Sequence, residues 1–440
     1  MFESLVQETF PFLPDTLMVP SLDYRVFHHE LYRETLYDTL LSRNTLRSQQ
    51  TSMIFPAGPL RVKTVWTRSV NDLSDLLQNP YAEMSFRPVS HAFDLSAQTR
   101  IGGWLIQPGL RFAFSGFSDT LAVTDFPVSK TAALNSYFFN LLPSTFGDTL
   151  PYRYQFRHYA VSCLAGRSLG DKRLFVHMNY SNSVNRLSEI HENTSDFAKI
   201  RGPRETLAVL SLPSLNIISG ISMNPGSLLW LGYRYLQIPL SWEHTLFPDD
   251  PDTLEIVTLA SGKTHYHSLV GGYRTLSGRL DLRTDISAGA ISGDLSVSTP
   301  VMGYLFYILP ISHQGDISGR MRYISGHVSL KYPFYAGRSV LTPRFELISA
   351  RCWSNLKADA QLEFGLEDIH AEQDYIDAVH LASFGLSAQI PLTRELSFSL
   401  EADQLIPYIR RIYPEPLPPE PTDIRRYGGL SVSAGISMKW

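Results

Sequence analysis

The chain ends in the stretch 427–440, YGGLSVSAGISMKW, in which apolar and polar residues alternate. One parity carries Leu430, Val432, Ala434, Ile436, Met438 and Trp440, and the other carries Ser431, Ser433, Gly435, Ser437 and Lys439. Successive side chains of a β-strand point to opposite sides, so this alternation predicts a strand with one apolar and one polar face. At about 3.3 Å per residue, the strand is long enough to cross a bilayer along a tilted path.

The same alternation recurs along the chain, at residues 93–101, 279–290, 324–332, 383–392 and 395–403. Several of these segments keep one register for roughly nine to twelve residues, which is the length of a membrane-crossing strand. Strands of soluble β-proteins average only about 5–6 residues. The pattern therefore favours a membrane barrel over a large soluble or secreted β-protein, which is the other reading of alternating strands.

A chain that ends on the aromatic residue of a long amphipathic strand resembles the bacterial outer-membrane β-barrel proteins. The resemblance implies a place in the outer membrane of a Gram-negative cell envelope, with lipid around the barrel. It also implies that Ile436, Met438 and Trp440 contribute to the signal read by the barrel-assembly machinery. The chain length and the long predicted loops are similar to those of outer-membrane transporters, although the Asn-Pro-Ala signature of the long-chain hydrophobic-compound family is absent near the N-terminus.

Composition agrees with this class. Charged residues make up 18% of the 440 residues, below the roughly 25% typical of soluble domains. Aromatic residues reach 12%, which suits the aromatic girdles of a membrane barrel. Apolar runs are too short for a membrane-spanning helix, which needs about 18 or more such residues. A net charge of -4 argues against a nucleic-acid partner.

The predicted fold is all-β, an antiparallel up-and-down transmembrane β-barrel of about 14 strands, within a range of roughly 12–16. Short connections at 275–278, 333–338 and 391–394 alternate with long polar ones at 181–204, 354–377 and 405–426. Short periplasmic turns and long outer loops are typical of such barrels. The polar segment 292–318 is either one long outer segment or an additional pair of strands.

The barrel is expected to span residues 91–440. Residues 1–90 form an N-terminal segment that plugs the lumen, crosses the periplasm or contributes the first strands, and 30–46 has a weak helical pattern. The first five residues lack the basic and apolar regions of a signal peptide. Because a membrane barrel must be exported, we expect the numbering to start at a mature, trimmed or misassigned start. Two cysteines, Cys163 and Cys352, are too few for a disulfide framework.

The polar faces of these strands supply the candidate functional residues. If the apolar faces meet lipid, the charged faces line the lumen, because an arginine at the lipid midplane costs about 2–4 kcal/mol. The predicted lumen-lining residues are Arg279, Asp281, Arg283, Asp285, His327, Lys331, Arg344, Glu346, Glu401 and Asp403. They either line a polar pathway or form a salt-bridged network that fills a closed interior. The alternating signs along 279–285 favour mutual pairing.

Three other motifs are weaker indications of function. His327 and Ser329 have the H-x-S spacing of outer-membrane lipid hydrolases, in which the dyad faces the bilayer. Here the parity turns both residues inward and no Asn-Gly follows, so we expect no enzymatic activity. His265 and His267 share a strand face, but two ligands are a weak metal signal. The acidic segment 249–252 lacks EF-hand spacing. The sequence thus predicts no metal site and no cofactor.

The expected function is a channel or transporter that passes a small-molecule substrate through a charged lumen. This expectation rests on the fold class, and a fold alone does not fix a function. The alternative is a non-conducting outer-membrane scaffold or secretion-system component. A soluble or secreted large β-protein is the third reading.

Overall fold

The structure is a computed structural model. It describes residues 18–35, 42–72, 82–84, 87–123, 149–170, 172–193, 202–224, 226–246, 256–305, 309–362, 369–413 and 424–440. No helix among these residues is long and apolar enough to cross a membrane.

The regular structure of the described residues consists of β-strand segments. In the first half of the chain these are β1 (Ser21–Thr35), β2 (Ser42–Ala57), β3 (Leu60–Asp72), β4 (Ala82–Met84), β5 (Val89–Ile101), β6 (Trp104–Val123), β7 (Thr149–Leu169), β8 (Lys172–Asn193), β9 (Gly202–Ser211) and β10 (Ser214–Asn224). In the second half they are β11 (Ser227–Leu246), β12 (Ile256–Ser277), β13 (Leu280–Leu305), β14 (Leu309–Lys331), β15 (Phe334–Ala336), β16 (Ser339–Leu362), β17 (Ile369–Pro391), β18 (Leu396–Tyr413) and β19 (Ile424–Lys439).

Some segments continue one another. β9 and β10 pair with β8 in a single register and are separated only at Leu212 and Pro213, because proline has no N–H for the ladder. Leu212 still exchanges backbone hydrogen bonds of 2.7 and 3.4 Å with Ser183. The short segments β4 and β15 likewise keep the registers of β5 and β14 and lie beyond the barrel wall. The described residues therefore form 16 barrel strands with two short segments outside.

The sheet closes on itself through its first and last strands. β1 pairs with β2 on one side and with β19 on the other, from Ser21 opposite Lys439 to Glu30 opposite Leu430 and beyond. Consecutive strands pair antiparallel around the whole sheet. The predicted fold class, an antiparallel up-and-down barrel, is confirmed, and the strand count of 16 lies at the upper end of the predicted range.

One end of the barrel carries the tight turns. Gly58, Gly102, Gly278 and Gly337 sit in these turns with φ angles of 63°, 56°, 61° and 64°. Glycine adopts this left-handed conformation without the steric cost of a Cβ, which permits hairpins too short for other residues.

The N-terminal region enters the wall of the barrel. β1, β2 and β3 occupy most of residues 21–72 and each pairs with its neighbours in the sheet. The helical pattern at 30–46 was misleading, because its described residues lie in β1 and β2.

Two predicted outer loops are strands for most of their length. The described residues of the segment 292–318 belong to β13 and β14, which extend outward as one long hairpin, so these residues form no additional strand pair. The segment 354–377 similarly lies largely in β16 and β17. The strands therefore continue well beyond the length that a bilayer requires.

An apolar belt surrounds the half of the barrel near the tight turns. On β13, the outward Ile286 is 64% exposed whereas its inward neighbour Asp285 is 9% exposed. On β14 the outward apolar positions run from Tyr332 to Ile324. About nine residues of a strand tilted by roughly 40° rise about 23 Å, close to the height of a membrane belt.

Above the belt, the polarity of the two faces is reversed. The outward residues of β13 become Ser292, Asp294 and Ser296, and the inward ones become Ile291, Leu295 and Val297. A polar outer face suits water rather than lipid. This reversal explains why the outer half of the strand reads as a polar loop in the sequence.

Candidate functional site

The predicted lumen-lining residues on β13, β14, β16 and β18 all point into the barrel. Cross-strand pairing places them on one face, because Asp285 lies opposite His327, Lys331 opposite both Asp281 and Arg344, and Glu346 opposite Ser329. The inward residues are Asp281, Arg283, Asp285, His327, Lys331, Arg344, Glu346, Glu401 and Asp403. They lie at the height of the apolar belt.

Arg279 does not belong to this set. The hairpin turn consists of Gly278 and Arg279, and β13 begins only at Leu280. Arg279 is exposed at the rim, where its guanidinium carbon lies 5.2 Å from the centre of the Tyr335 ring. The sequence prediction was wrong here because the alternation of β13 runs on into a turn residue.

Asp285 is the centre of a buried ion-pair cluster. One of its carboxylate oxygens, Oδ2, accepts a hydrogen bond from Arg283 Nε at 2.8 Å and lies 2.9 Å from His327 Nδ1. The guanidinium of Arg283 also lies 5.2 Å from the centre of the Trp230 ring on β11. The cluster thus joins β11, β13 and β14 across the inner surface.

A second ion pair joins β12 to β13 nearer the tight turns. Arg274 donates to both oxygens of Asp281, from Nε at 2.8 Å and from Nη2 at 2.6 Å. This two-pronged geometry is the strongest form of an arginine–carboxylate contact. Arg274 lies opposite Arg283, so two cations are neighbours across the sheet. Asp281 neutralises the first and Asp285 the second.

The same inner wall continues onto β16 and β18. Arg344 contacts Asp403 through a hydrogen bond and an ion pair, and its Nη1 lies 4.0 Å from Glu401. Gly385 lies between Arg344 and Asp403 in the register, where a Cβ would collide with both side chains. Ser329 donates a 3.3 Å hydrogen bond to the buried Glu346.

These contacts make one side of the interior a packed wall, which we define as the inward residues of β12, β13, β14, β16 and β18. Exposure of the side chains in its ion pairs is low, 13% for Arg283 and 11% for Asp285. Of the two readings offered by the sequence, the salt-bridged network describes this wall.

Gly272 on β12 makes the close packing beneath Asp285 possible. A Cβ at this position would lie 2.4 Å from Asp285 Oδ1 and 2.4 Å from Trp230 Cζ2. It would also lie 2.6 Å from the backbone oxygen of Thr284, which is less free to move. The glycine is therefore required by its neighbours and not by its own backbone angles.

We expect Gly272→Ala to lower the free energy of unfolding by about 1–3 kcal/mol, the usual cost of overpacking. Urea unfolding in detergent, followed by tryptophan fluorescence, measures the change. Gly326→Ala is the matched control, because a Cβ there would meet nothing within 4 Å. Equal unfolding midpoints for the two variants would contradict the packing described for Asp285 and Trp230.

The opposite side of the interior is more open. We define the open wall as Asp23 and Arg25 on β1, Lys63 on β3, Asp94 on β5 and Arg111 on β6, all of which point inward. Arg111 lies 3.4 Å from Asp94, but their side chains remain 46% and 32% exposed. These charges face the lumen more freely than those of the packed wall.

Sequence reasoning missed the open wall as a site. Asp94 already stands on the polar parity of the alternating segment 93–101, and Arg111 falls between the apolar Leu110 and Phe112. The signal was therefore available in the sequence. It was weaker than that of β13, on which Asp281, Arg283 and Asp285 occupy three consecutive positions of the polar parity.

A third part of the interior is apolar. Phe175, Ile218, Leu228 and Trp230 form a buried cluster on β8, β10 and β11, with Leu164 packed against it. Their exposed fractions are only 1–3%. The sequence gives no alternation where Leu228, Leu229 and Trp230 follow one another, so the inward apolar positions were not identified.

The two residues of the H-x-S motif have different partners. Both point inward, as their parity predicts, and His327 contacts Asp285 while Ser329 contacts Glu346. Each side chain is thus held by the packed wall rather than facing the bilayer.

The two histidines of β12 lie on the outer face. His267 contacts the Tyr233 hydroxyl at 2.7 Å, and His265 contacts that of Tyr235 at 3.0 Å. No group of three or more His, Cys, Asp or Glu residues suitable for a metal ion occurs in the described part of the chain. The acidic segment 249–252 lies outside the described residues.

The C-terminal residues lie at the seam between β19 and β1. Ile436, Met438 and Trp440 are 47%, 41% and 56% exposed, and the first two point outward from the barrel. The backbone N–H of Trp440 donates to the carbonyl oxygen of Pro20 at 3.4 Å. Their role as an assembly signal stays a prediction.

Comparison with known proteins adds little about function. No protein-family model matches the chain, and no curated protein matches it in sequence. Among solved structures, the toluene transporter TodX of P. putida is 9% identical, with a TM-score of 0.37, over 98% of this chain and 91% of its own. The siderophore receptor PiuA of Acinetobacter baumannii is 8% identical, with a TM-score of 0.39, over 96% and 82%. The translocator domain of the autotransporter NalP of Neisseria meningitidis is 10% identical, with a TM-score of 0.31, over 99% and 93%.

Proposed function

We propose that this barrel is an outer-membrane channel or transporter that passes a small polar or charged molecule through its lumen. The observation that carries the proposal is the partly exposed, charged open wall inside a closed barrel of 16 strands. Barrels of about 16–18 strands are wide enough to leave an aqueous channel. The outward apolar belt supports a membrane location, and the tight turns would then face the periplasm.

The two interior walls have different roles in this proposal. The packed wall stiffens one side of the barrel, because its charges are already paired and largely covered. The open wall carries Arg25, Lys63 and Arg111 against Asp23 and Asp94, an excess of positive charge. The permeating molecule passes along the open wall, whose charges are accessible to a solute, and it is preferentially an anion because positive charge is in excess there.

The proposal includes three partners and no enzymatic step. Lipid covers the apolar belt, the barrel-assembly machinery inserts the chain, and a small molecule occupies the lumen. His327 and Ser329 serve the packed wall in this scheme and do not act on lipid.

Conductance of the purified full chain in a planar lipid bilayer tests the proposal. We expect stepwise insertion events with a reproducible single-channel conductance and a reversal potential on the anion side in a salt gradient. A barrel that inserts with the correct heat-dependent mobility but never conducts would overturn the proposal. That outcome would favour the non-conducting scaffold, whose further mark is a co-purifying protein partner.

A further inference from the structure

Three arginines stand on the outer face immediately above the apolar belt. Arg320 and Arg322 lie beyond the outward Ile324 on β14, on the side away from the tight turns, and all three side chains point away from the lumen. Arg351 on β16 lies opposite Ile324, so it stands at the same edge. Because these arginines occupy adjoining strands, we define them together as the arginine band.

The arginine band belongs to a wider polar-aromatic edge. Trp353 lies opposite Arg322, and the guanidinium of Arg351 is 5.4 Å from the centre of the Trp353 ring. In the other direction, Arg322 lies opposite Ala290, which lies opposite His267. Tryptophan and tyrosine at this height are typical of the boundary between the hydrocarbon and the headgroups of a membrane.

The arginine band has no acidic partner among the described residues, although acidic side chains are near. Higher on the same outer face, Lys357 pairs with Glu372 at 2.8 Å and His370 pairs with Asp359. None of the three guanidinium groups of the arginine band forms an ion pair with a described residue, and all three residues are exposed. The cations at the membrane edge are therefore available to an external anion.

We propose that the arginine band binds the phosphorylated headgroup of a lipid in the outer leaflet. Arginine presents a planar fork of donors that matches phosphate oxygens, and it binds phosphate in a two-pronged manner. Because the arginine band lies directly above the apolar belt, it favours a lipid over a free phosphate. A lipid whose chains cover Ile286, Ile324 and Leu347 brings its headgroup to the level of the arginine band, so both parts bind at once.

Charge complementarity sets the size of the expected effect. A basic residue near an anionic membrane surface contributes about 1 kcal/mol, which is about a five-fold change in affinity. Neutralising the whole arginine band should therefore weaken binding by about 100-fold if the contributions add. The proposal depends on the membrane barrel and is independent of whether the lumen conducts.

Native mass spectrometry of the folded full chain in a non-ionic detergent tests the proposal. The probe is lipid A with two phosphates, titrated against the unsubstituted protein and against the triple variant R320Q/R322Q/R351Q. The matched control is Arg167→Gln, since Arg167 also points outward and stacks on a tryptophan, Trp104, at 5.5 Å, but lies near the tight turns. We expect about 100-fold weaker lipid binding by the triple variant and unchanged binding by the control.

A second measurement needs no variant and covers the case in which the triple variant does not fold. The unsubstituted protein is titrated with the same lipid after both phosphates have been removed enzymatically, and with inorganic phosphate alone. We expect strong binding only for the phosphorylated lipid. Equal binding of the dephosphorylated lipid would show that acyl chains alone are recognised, and competition by millimolar phosphate would show a free-anion site. Either result, or a folded triple variant that binds as well as the original protein, would overturn the proposal.

Discussion

Asp285→Ala should lower the free energy of unfolding by about 3–5 kcal/mol, the cost of removing one partner from a buried ion pair. Asp285 is 9% exposed, and its carboxylate serves both Arg283 and His327. Without it, the guanidinium of Arg283 would stay beside Trp230 and opposite Arg274, with only Asp281 to offset the two cations. Like charges directly opposite one another on a sheet are destabilising.

Urea unfolding of the refolded barrel measures this loss. Asp294→Ala is the matched control, since Asp294 lies on the same strand but on the exposed outer face. A surface substitution of this kind should change stability by less than about 0.5 kcal/mol. If both variants unfold at the same urea concentration, the ion-pair cluster does not support the packed wall.

Neutralising the open wall should change ion selectivity about ten-fold toward cations. The triple variant R25Q/K63Q/R111Q removes three positive charges and leaves Asp23 and Asp94 in the lumen. One unit charge about 8 Å from an ion in water changes its energy by about 0.5 kcal/mol, before screening by salt. Each positive charge raises the energy of a cation and lowers that of an anion, so all three charges contribute to the selectivity ratio twice. Screening at about 0.1 M salt reduces their combined effect on this ratio to roughly ten-fold.

Reversal potentials in a salt gradient give the selectivity. The control is R68Q/R157Q, which removes two exposed arginines from the outward faces of β3 and β7. Those substitutions should leave the reversal potential where it was. A conducting triple variant with the original selectivity would show that the permeating ions do not pass along the open wall.

The sequence predicted the fold class well because the belt imposes a period of two. Within the belt, β13, β17 and β19 carry apolar side chains at nearly every outward position, so alternation is continuous there. The alternation is weaker in β2, because its outward positions include Thr51, Gln49 and Arg47, which interrupt the apolar face. The first strands therefore gave a weaker signal, and the central prediction of about 14 strands lies below 16, which is the upper end of the predicted range.

The outer halves of the strands could not be identified by the same pattern. Above the belt, the apolar side chains turn from the outward to the inward positions while the backbone keeps its register, as at Ile291 and Ser292. A pattern that assigns polar residues to the lumen interprets such a segment as a loop. The reversal follows from the change of solvent from lipid to water.

Parity located the charged residues of the packed wall, and their alternating signs favoured pairing, but the sequence did not identify their partners on other strands. Asp281 is paired with Arg274 of β12, and Asp285 lies beside His327 of β14, and only the register of the sheet brings these residues together. The contrast between the packed and the open wall depends on these neighbours. The pattern of a single strand could therefore not predict this contrast.

Heat-dependent electrophoretic mobility of the full chain, folded into detergent micelles or lipid vesicles, tests the closed membrane barrel most directly. We expect unboiled protein to migrate faster than boiled protein, together with a β-rich circular dichroism spectrum, because a closed barrel resists dodecyl sulfate until it is heated. A protein that folds in plain buffer without detergent, and migrates identically before and after boiling, would contradict the membrane barrel and every proposal built on it.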